Sequence, residues 1–488
     1  MAMLNFTEDV IQSLFGHEAA EDEDPARLRQ YYFKSSTYDQ VVTPLPLRIV
    51  VGHKGIGKSA LFRVAMAELR DASRLAFQIK PDDVADIARG QPDFLSSIRA
   101  WKIGLRNIIA RRAAQSMGMK ADSALKAVQA AEAVIEPLAE VVAGHAPSAS
   151  LDNMRVREEF LASRTLHVFV DDLDRGWEGR PADIRRISAL LNAVRDLVNE
   201  DRNLQFRISL RSDVYFLVRT SDESTDKIEG SVIWQSWTNH EVFALLVKRI
   251  ETFFGRDLDY EKLKARSQLE LAKSLSVVME PTFRGKGHWH DAPMHQVLMS
   301  LIRKRPRDLV KLCSLAARNA YAKKSPIIYT SNYEAIFEEY SQGRILDTIN
   351  EFRSELPDIR RLLENMKPST KEKTTKSGYV YTTADLLKKI KSVEAQGQFR
   401  FKPGSLASTK DLAAFLYKIN FLTARYERAD GTIVRRYFEE QRYLQSEFAD
   451  YGFAWEVHPA YRWALQPTDI DKIFETLDKP SFWSFSEG

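Results

Sequence analysis

The sequence has 488 residues, which at roughly 150 residues per domain corresponds to about three domains. Its composition is 44% hydrophobic and 28% charged, which is typical of globular proteins and excludes a disordered or fibrous chain. The net charge of +4 gives no general basis for nucleic-acid binding, and the single cysteine, Cys313, excludes an intrachain disulfide and a thiolate metal cluster. No stretch has the apolar length of a membrane span and residues 1–16 lack a signal-peptide pattern, so we expect a cytoplasmic protein with no membrane role.

The first half of the chain alternates between strand and helix patterns. Residues 1–40 form a helical lead-in, and an apolar, β-branched run at 47–51 predicts a strand that a glycine-rich turn joins to a helix. A second strand at 75–79 favours a crossover connection in a parallel sheet. An alanine-rich helical insertion follows at about 94–161, before strands at 166–170 and 204–210 separated by a helix. This alternation predicts an α/β sheet covered on both faces, within a domain at 41–236.

The second half of the chain is mainly helical. Residues 237–340 predict a helical lid domain, with one helical stretch broken at Arg305-Pro306. The Lys-, Ser- and Thr-rich residues 367–377 have the composition of a linker or loop. In the C-terminal domain, 341–488, a helix at 412–419 precedes strands at 421–426 and 432–438, with the turn at 429–431, and this order favours a winged-helix-like α+β module.

The sharpest motif follows the first predicted strand. Residues 52–59 fit the pattern G-x-x-x-x-G-K-[ST] of a phosphate-binding loop, and they are Gly52, His53, Lys54, Gly55, Ile56, Gly57, Lys58 and Ser59, followed by Ala60. Glycines let backbone N–H groups surround a phosphate, and the following helix presents the positive end of its dipole to the same anion. Lys58 is expected to reach the β- and γ-phosphates of ATP, and the Ser59 hydroxyl to occupy one Mg²⁺ position. The alternative is a glycine turn with a chance lysine.

Paired carboxylates follow the strand at 166–170. Asp171 is expected to hold Mg²⁺, directly or through water, and Asp172 to polarise the attacking water. Successive side chains of a strand point in different directions, so the two carboxylates can take separate roles. The alternative is an acidic cap on the strand or on the next helix. Many fast ATPases have a glutamate where this chain has Asp172. Because the aspartate side chain is shorter, we expect slow ATP hydrolysis.

Three arginines are candidates for sensing the nucleotide. Arg211 ends the strand at 204–210 and is positioned to touch the γ-phosphate, with an ordinary surface arginine as the alternative. Arg305 and Arg307 open a helix of the lid domain, where Pro306 suits the first helical turn, and either one is a candidate lid sensor. A plain helix cap is the alternative for this pair.

These motifs together resemble the KAP and STAND-like branch of P-loop ATPases, particularly the bacterial group found in anti-phage systems. The resemblance covers residues 15–320 and is carried by residues 18–22, Leu28, Tyr32, Phe33, 54–60, 171–175, Arg211, Trp237, Glu241, Arg249 and 305–308. It implies a sheet with an additional strand. In this sheet the strand that ends at Arg211, the sensor strand, lies between the strand before the phosphate-binding loop (the Walker A strand) and the strand before Asp171 and Asp172 (the Walker B strand). It also implies a helical lid and a nucleotide-controlled switch that governs assembly with itself or with an effector protein in antiviral defence.

Two alternative functions stay open. The first is an ATP-dependent DNA-handling protein whose winged helix contacts DNA, with Arg425, Arg428, Arg435 and Arg436 on the hairpin. The second is a scaffold that is stabilised by nucleotide and hardly hydrolyses it. The histidines at 288, 290 and 295 are a weak candidate for a metal site, and a polar loop explains them as well.

Overall fold

The computed structural model describes residues 4–145, 150–221, 223–256, 258–369, 378–402, 404–429, 433–444, 452–468 and 470–479. Its strands are β1 (Leu47–Gly52), β2 (Ala76–Ile79), β3 (Leu166–Val170), β4 (Leu204–Arg211), β5 (Val232–Trp234), β6 (Val380–Tyr381), β7 (Leu422–Glu427), β8 (Ile433–Arg436) and β9 (Ala454–Val457). Its α-helices are α1 (Glu8–Phe15), α2 (Pro25–Tyr31), α3 (Ser36–Val42), α4 (Lys58–Asp71), α5 (Phe94–Ser116), α6 (Ala121–Ala130), α7 (Ile135–Gly144), α8 (Leu151–Ser163), α9 (Pro181–Glu200), α10 (Ser212–Ser221), α11 (Asn239–Phe253), α12 (Tyr260–Ala265), α13 (Gln268–Ala272), α14 (Met294–Leu301), α15 (Pro306–Ala322), α16 (Thr330–Glu334), α17 (Phe337–Phe352), α18 (Ile359–Glu364), α19 (Thr383–Glu394), α20 (Thr409–Lys418), α21 (Arg462–Leu465) and α22 (Ile470–Thr476). Across these described ranges, no helix has both the length and the hydropathy that a membrane span requires.

The chain packs as two units. The first unit contains Met1–Phe33, Gly55–Gly57 and Ser236–Gly488. The second unit contains Lys34–Lys54 and Lys58–Gln235. The three-residue segment Gly55–Gly57 therefore interrupts the second unit and makes its contacts within the first.

A parallel sheet with the strand order β2-β3-β4-β1-β5 forms the centre of the second unit. Strand β4 lies between β1 and β3, with Val51 beside Leu210 and Val170 beside Ile208. The predicted α/β sheet is confirmed, with a sensor strand between the two motif-bearing strands. Because the strands are parallel, β1, β3 and β4 end at the same edge of the sheet.

The two faces of this sheet differ in polarity. Leu204, Phe206, Ile208 and Leu210 of β4 belong to an apolar core that also contains side chains from α5 and α9. The alternating residues Gln205, Arg207 and Ser209 are also buried, although they are polar, and they lie on the side of α3 and α4. Strand β4 thus has one apolar face and one buried polar face.

Helices α5 to α8 fill the region in which the alanine-rich pattern predicts a helical insertion, and this prediction is confirmed. Asp93 caps α5 by accepting a hydrogen bond from the Ser96 N–H at 2.8 Å. Leu105 and Ile109, four residues apart on α5, are fully buried in the core of the second unit. The insertion is therefore part of the core of this unit.

The first unit has a largely helical core. Helix α11 begins with a reciprocal capping box between Thr238 and Glu241. Helix α15 begins at Pro306, as the sequence predicts, because proline needs no N–H partner at the first helical position. The buried Cys313 lies on α15, and burial raises the pKa of its thiol to about 12. This residue belongs to the core of the first unit.

The last part of the first unit contains the antiparallel sheet β6-β9-β7-β8. Strands β7 and β8 pair with Ala424 beside Arg436, close to the predicted hairpin. The predicted turn residues Asp430 and Gly431, and residues 370–377 of the predicted linker, lie outside the described residues. The winged-helix assignment of this domain stays a prediction.

Candidate functional site

The loop between β1 and α4 has the backbone conformation that a phosphate-binding loop requires. Strand β1 ends at Gly52 and α4 begins at Lys58. Gly55 and Gly57 have φ angles of +80° and +103°, a region that residues with a Cβ atom rarely occupy. The glycines of the motif are thus explained by the turn that leads from the strand into the helix.

Lys58 lies at the first position of α4. Its Nζ donates hydrogen bonds to the carbonyl oxygens of Gly52 and His53 at 2.8 and 3.2 Å. The ammonium group therefore folds back over the loop that precedes it. Ser59 follows in the first turn of α4, where free N–H groups and the helix dipole favour an anion.

Asp171 directly follows β3 and is 5% exposed. The Ser209 hydroxyl on the neighbouring strand β4 donates a hydrogen bond to its Oδ1. This bond fixes the orientation of one carboxylate oxygen, and carboxylate oxygens are ligands that Mg²⁺ prefers. Because β1 and β3 flank β4, their backbones lie roughly 10 Å apart, a span that a metal–phosphate group can bridge.

Asp172 has a φ angle of +59°, which is uncommon for a residue other than glycine. Its carbonyl oxygen accepts a hydrogen bond from the Arg175 N–H at 3.0 Å, so a tight turn begins there. The side chain is exposed at this turn. The chain therefore changes direction between the two carboxylates, and Asp171 and Asp172 lie in different environments.

Arg211 is held at the end of β4 by two carboxylates. Its Nε and Nη2 donate to Asp213 at 3.0 and 2.7 Å, and its Nη1 lies 3.3 Å from Asp174. Arg211 is also the register partner of Gly52, the first residue of the loop. The arginine is thus fixed beside the loop and is 17% exposed, which does not fit a loose surface side chain.

His53 and Ser212 form a second link between the loop and β4. The Ser212 hydroxyl lies 2.9 Å from His53 Nδ1, and both side chains are fully buried. Ser212 is the first residue of α10, immediately after Arg211. This contact ties the start of the phosphate loop to the segment that carries Arg211.

Within the first unit, the loop residues Gly55 and Ile56 have buried partners. The Trp237 indole donates to the Ile56 carbonyl oxygen at 2.8 Å, and the Ile56 side chain is 3% exposed. The Arg307 N–H donates to the Gly55 carbonyl oxygen at 3.3 Å, and a Cβ atom at Gly55 would lie only 3.0 Å from Arg307 Cβ. Glycine at position 55 is therefore required by close approach as well as by φ.

The two lid arginines have different environments. Arg305 is 1% exposed and lies 3.1 Å from Glu351, so its side chain belongs to the interior of the first unit. The Arg307 side chain is partly exposed, and its Nε donates to the Glu18 carbonyl oxygen at 3.1 Å. Of the two predicted sensors, Arg307 is the one with an accessible guanidinium next to the loop residues of its own unit.

Asp308 anchors the start of α15. It accepts hydrogen bonds from Arg303 at 2.7 and 2.9 Å and from Arg344 at 2.5 Å, and all three residues are at most 3% exposed. Burial alone would raise the pKa of Asp308, but the charges of Arg303 and Arg344 outweigh it and hold this pKa well below its usual range. The buried ionic cluster fixes the helix end on which Arg307 stands.

Of the four hairpin arginines that favour DNA binding in the sequence, Arg425 and Arg435 are engaged inside the protein, whereas Arg428 is exposed and Arg436 is half-buried. Arg435 donates to both carboxylate oxygens of Glu456 at 2.7 and 2.9 Å. Arg425 is 9% exposed and its Nη2 lies 3.1 Å from Asp478. These two side chains neutralise buried carboxylates and are not presented to a phosphate backbone.

The three histidines around Trp289 do not come together as a metal site. His295 is buried and stacks on Phe243 with 4.8 Å between the ring centroids, whereas His290 is exposed and its Nδ1 lies 2.9 Å from the Gly285 carbonyl oxygen. No group of three metal-ligating side chains occurs within the described ranges. A polar loop therefore accounts for the exposed histidines.

Three features identify the fold of the second unit: the strand order, the loop between β1 and α4, and the carboxylate after β3. The second unit has the P-loop NTPase fold. The comparisons with known proteins are distant: no family model matches the chain. The "Putative transposon gamma-delta 80.3 kDa protein" of Escherichia coli K12 is 22% identical over 521 residues, covering 95% of this chain and 69% of that protein.

Three solved structures are also similar to this chain. They are the ORC2 protein of Aeropyrum pernix (12% identity, TM-score 0.36, 85% of this chain and 89% of that chain), the RuvB Holliday junction branch migration motor of Thermotoga maritima (11%, 0.33, 85% and 95%) and Cdc6p of Pyrobaculum aerophilum (14%, 0.28, 90% and 96%). Similarity at these levels carries no conclusion about activity.

Motif reasoning assigns no role in the site to three residues. Ser209 orients Asp171, Ser212 contacts His53, and Trp237 holds Ile56. Ser209 has a weak signal, because it follows Gln205 and Arg207 on alternate positions of an otherwise apolar strand. Ser212 has none, because its partner His53 is distant in the sequence. Trp237 belongs to the family resemblance, but nothing in the sequence indicates its contact with Ile56.

Proposed function

We propose that the protein is a Mg²⁺-dependent switch ATPase that binds and slowly hydrolyses ATP. The observation that carries this proposal is that the loop leading to Lys58 follows β1 and Asp171 follows β3, the two strands that flank β4, with Asp171 oriented by Ser209. Phosphate-binding and metal-binding groups thus end at one edge of one sheet. A strand–turn–helix with a chance lysine does not explain the buried, oriented carboxylate.

Each side chain has a distinct role in this proposal. The N–H groups at the start of α4 and the Lys58 ammonium hold the β- and γ-phosphates. The Ser59 hydroxyl and the Asp171 carboxylate supply oxygen ligands that fit Mg²⁺, which neutralises phosphate charge when it is bound. Asp172 accepts a proton from, or orients, the attacking water. Because the Asp172 side chain is short and lies on an exposed turn, ATP hydrolysis is slow.

Arg211 acts as the sensor of the γ-phosphate. Its two carboxylate partners, Asp174 and Asp213, hold it beside the first residue of the loop. A γ-phosphate offers the guanidinium a further anionic partner, and hydrolysis removes that partner. Loss of the γ-phosphate therefore changes the position of the β4 end, to which His53 is also tied through Ser212.

The switch follows from the membership of the loop in two units. Lys58 begins α4 in the second unit, whereas Gly55 and Ile56 contact Arg307 and Trp237 in the first. Because the loop is one continuous chain, drawing its N–H groups around a phosphate alters the contacts of Gly55 and Ile56. Arg307 is then the lid sensor, and Arg305 supports the fold through Glu351.

The output of the switch is proposed from the family resemblance. Association with further copies or with an effector protein, in anti-phage defence, is what that resemblance implies. DNA handling is the weaker proposal, because Arg425 and Arg435 pair with buried carboxylates. A DNA-handling protein would show salt-dependent duplex binding, with log affinity falling linearly with log salt concentration.

The test measures phosphate release and molecular mass in parallel. Wild type is compared with Asp171→Asn in ATP, ADP and a non-hydrolysable ATP analogue, each with Mg²⁺. We expect slow phosphate release that Asp171→Asn abolishes, and a mass distribution of the wild type that differs between ATP and ADP. Equal mass distributions in all nucleotides would rule out an assembly switch, and ATP binding without phosphate release would favour the scaffold.

A further inference from the structure

The second unit contains a cavity of about 160 Å³ on the face of the sheet opposite its apolar core. Helices α3 and α4 form its walls, through Val41 and Tyr38 on one side and Ala65 and Leu69 on the other. The sheet forms its floor, through His167, Phe169 and Arg207. None of the residues placed in the phosphate site lines this cavity.

His167 brings an unsatisfied polar atom to the cavity. The residue is 6% exposed, and its Nε2 has no hydrogen-bond partner among the described residues. Burial, together with the charges of Arg207 and Arg74, lowers the pKa of His167 to about 4. The ring is therefore neutral near pH 7, and a buried imidazole nitrogen without a partner costs stability unless something occupies the adjoining space.

Arg207 brings a buried positive charge. It is 3% exposed, and within the described part of the chain no carboxylate lies within ion-pair distance of it. Its five N–H groups are satisfied by neutral oxygens, namely the carbonyls of Val41, Thr43, Leu45 and Phe206 and the side chain of Gln205. Hydrogen bonds hold the guanidinium in place, but they leave its charge uncompensated.

The remaining charged groups at the cavity do not cancel this charge. Glu68 is engaged by Lys34 at 2.7 Å and by the Tyr38 hydroxyl. Arg74 adds a second guanidinium, which lies 3.8 Å from Glu159, a residue outside the lining. The polar end of the cavity is consequently electropositive, whereas Val41, Ala65, Leu69 and Phe169 make the rest of its wall apolar.

We propose that this cavity is a binding site for a small monocarboxylate with an apolar body. A carboxylate supplies the missing countercharge for Arg207 and an oxygen partner for His167, and the apolar body packs against the aliphatic and aromatic wall. A cavity of about 150 Å³ holds benzene. An acid on the order of six to nine non-hydrogen atoms therefore matches the volume.

Calorimetry on the full chain tests the charge requirement with shape-matched probes. Benzoate and cyclohexanecarboxylate are compared with benzamide and benzylamine, in buffers free of carboxylates. We expect benzoate to bind about tenfold more tightly than benzamide, with benzylamine weakest, because one uncompensated buried charge changes affinity by at least that factor. Equal binding of benzoate and benzamide would overturn the proposal, and so would the absence of any binding, which would leave a water-filled cavity.

Two substitutions locate the bound acid. Ala65→Leu fills the cavity and should abolish benzoate binding, whereas Ala67→Leu, on the same helix but outside the lining, should leave it unchanged. Arg74→Gln should weaken benzoate binding several-fold without changing benzamide binding. This variant tests the proposal even if Ala65→Leu fails to fold. Unchanged benzoate binding in Arg74→Gln together with unchanged binding in folded Ala65→Leu would place the acid elsewhere and refute the assignment.

The histidine gives a readout that is independent of affinity. A carboxylate beside His167 favours the imidazolium, so benzoate should raise the pKa of His167 above about 4, as followed by its ring C–H resonance. Benzamide should leave that pKa unchanged. A resonance whose titration benzoate does not move would contradict contact between the acid and His167.

Discussion

Replacing Ser209 by alanine removes the group that orients the proposed magnesium ligand. The Ser209 hydroxyl donates to Asp171, which is 5% exposed, so in the variant one buried carboxylate oxygen loses its partner. Hydrogen bonds to charged groups contribute about 1.5–3 kcal/mol. Loss of a partner that orients a metal ligand typically weakens metal binding about 10–100-fold, which is ~1.4–2.7 kcal/mol and agrees with that range.

The assay measures ATP turnover at saturating ATP as a function of free Mg²⁺. We expect Ser209→Ala to move the Mg²⁺ midpoint upward by about 10–100-fold while high Mg²⁺ restores most of the maximal rate. Ser209→Thr keeps the hydroxyl and suits a strand, so it should retain the wild-type midpoint. A wild-type midpoint in Ser209→Ala, or a lost rate that Mg²⁺ does not restore, would refute the role of this hydrogen bond.

Further predictions concern the turn, the lid and the buried ionic cluster. Asp172→Asn tolerates the positive φ and should keep ATP binding while losing turnover, whereas Asp172→Ala should in addition lose about 1 kcal/mol in urea unfolding; undiminished turnover in Asp172→Asn would contradict its role. Arg307→Gln should lower turnover with unchanged unfolding free energy. Arg305→Gln should lose about 3 kcal/mol of stability because it breaks a buried ion pair with Glu351. A loss of stability in Arg307→Gln and a loss of turnover alone in Arg305→Gln would contradict these roles. Asp308→Asn should lose about 3–5 kcal/mol at pH 7 because buried Arg303 loses its carboxylate partner and buried Arg344 keeps only Asp347. The folded-state pKa of Asp308 is depressed, so its stabilisation is present above about pH 4 and is lost as the pH falls towards the folded-state pKa, and unfolding curves of the variant should lack this acid-dependent loss.

The parts of the fold that local patterns determine are predictable from the sequence. Strand β1, the glycine loop and α4 follow from an apolar run, two required positive φ angles and helical spacing. The start of α15 follows from Pro306. Each of these features depends on neighbouring residues, which is why a single sequence is sufficient.

Features that depend on distant pairing are not predictable in this way. Nothing local distinguishes Arg305 from Arg307, and only the packing against Glu351 places the first in the interior. The hairpin arginines have the alternation of an exposed nucleic-acid surface, yet Glu456 and Asp478, which lie far along the chain, pair with Arg435 and Arg425. Ion pairs between distant residues thus decide which charges are available for function.

The most direct test of the central claim is equilibrium binding of ATP with Mg²⁺ to wild type and to Lys58→Ala, measured by calorimetry on samples with matching circular dichroism spectra. Lys58 is the lysine of the proposed phosphate loop that stands at the start of α4. Its removal should weaken ATP binding at least ~10-fold, because charge-assisted hydrogen bonds to the phosphates are lost. Asp171→Asn should in parallel lose the contribution of Mg²⁺ to affinity. Equal ATP affinity in wild type and a correctly folded Lys58→Ala would contradict the claim that a nucleotide binds at the end of β1.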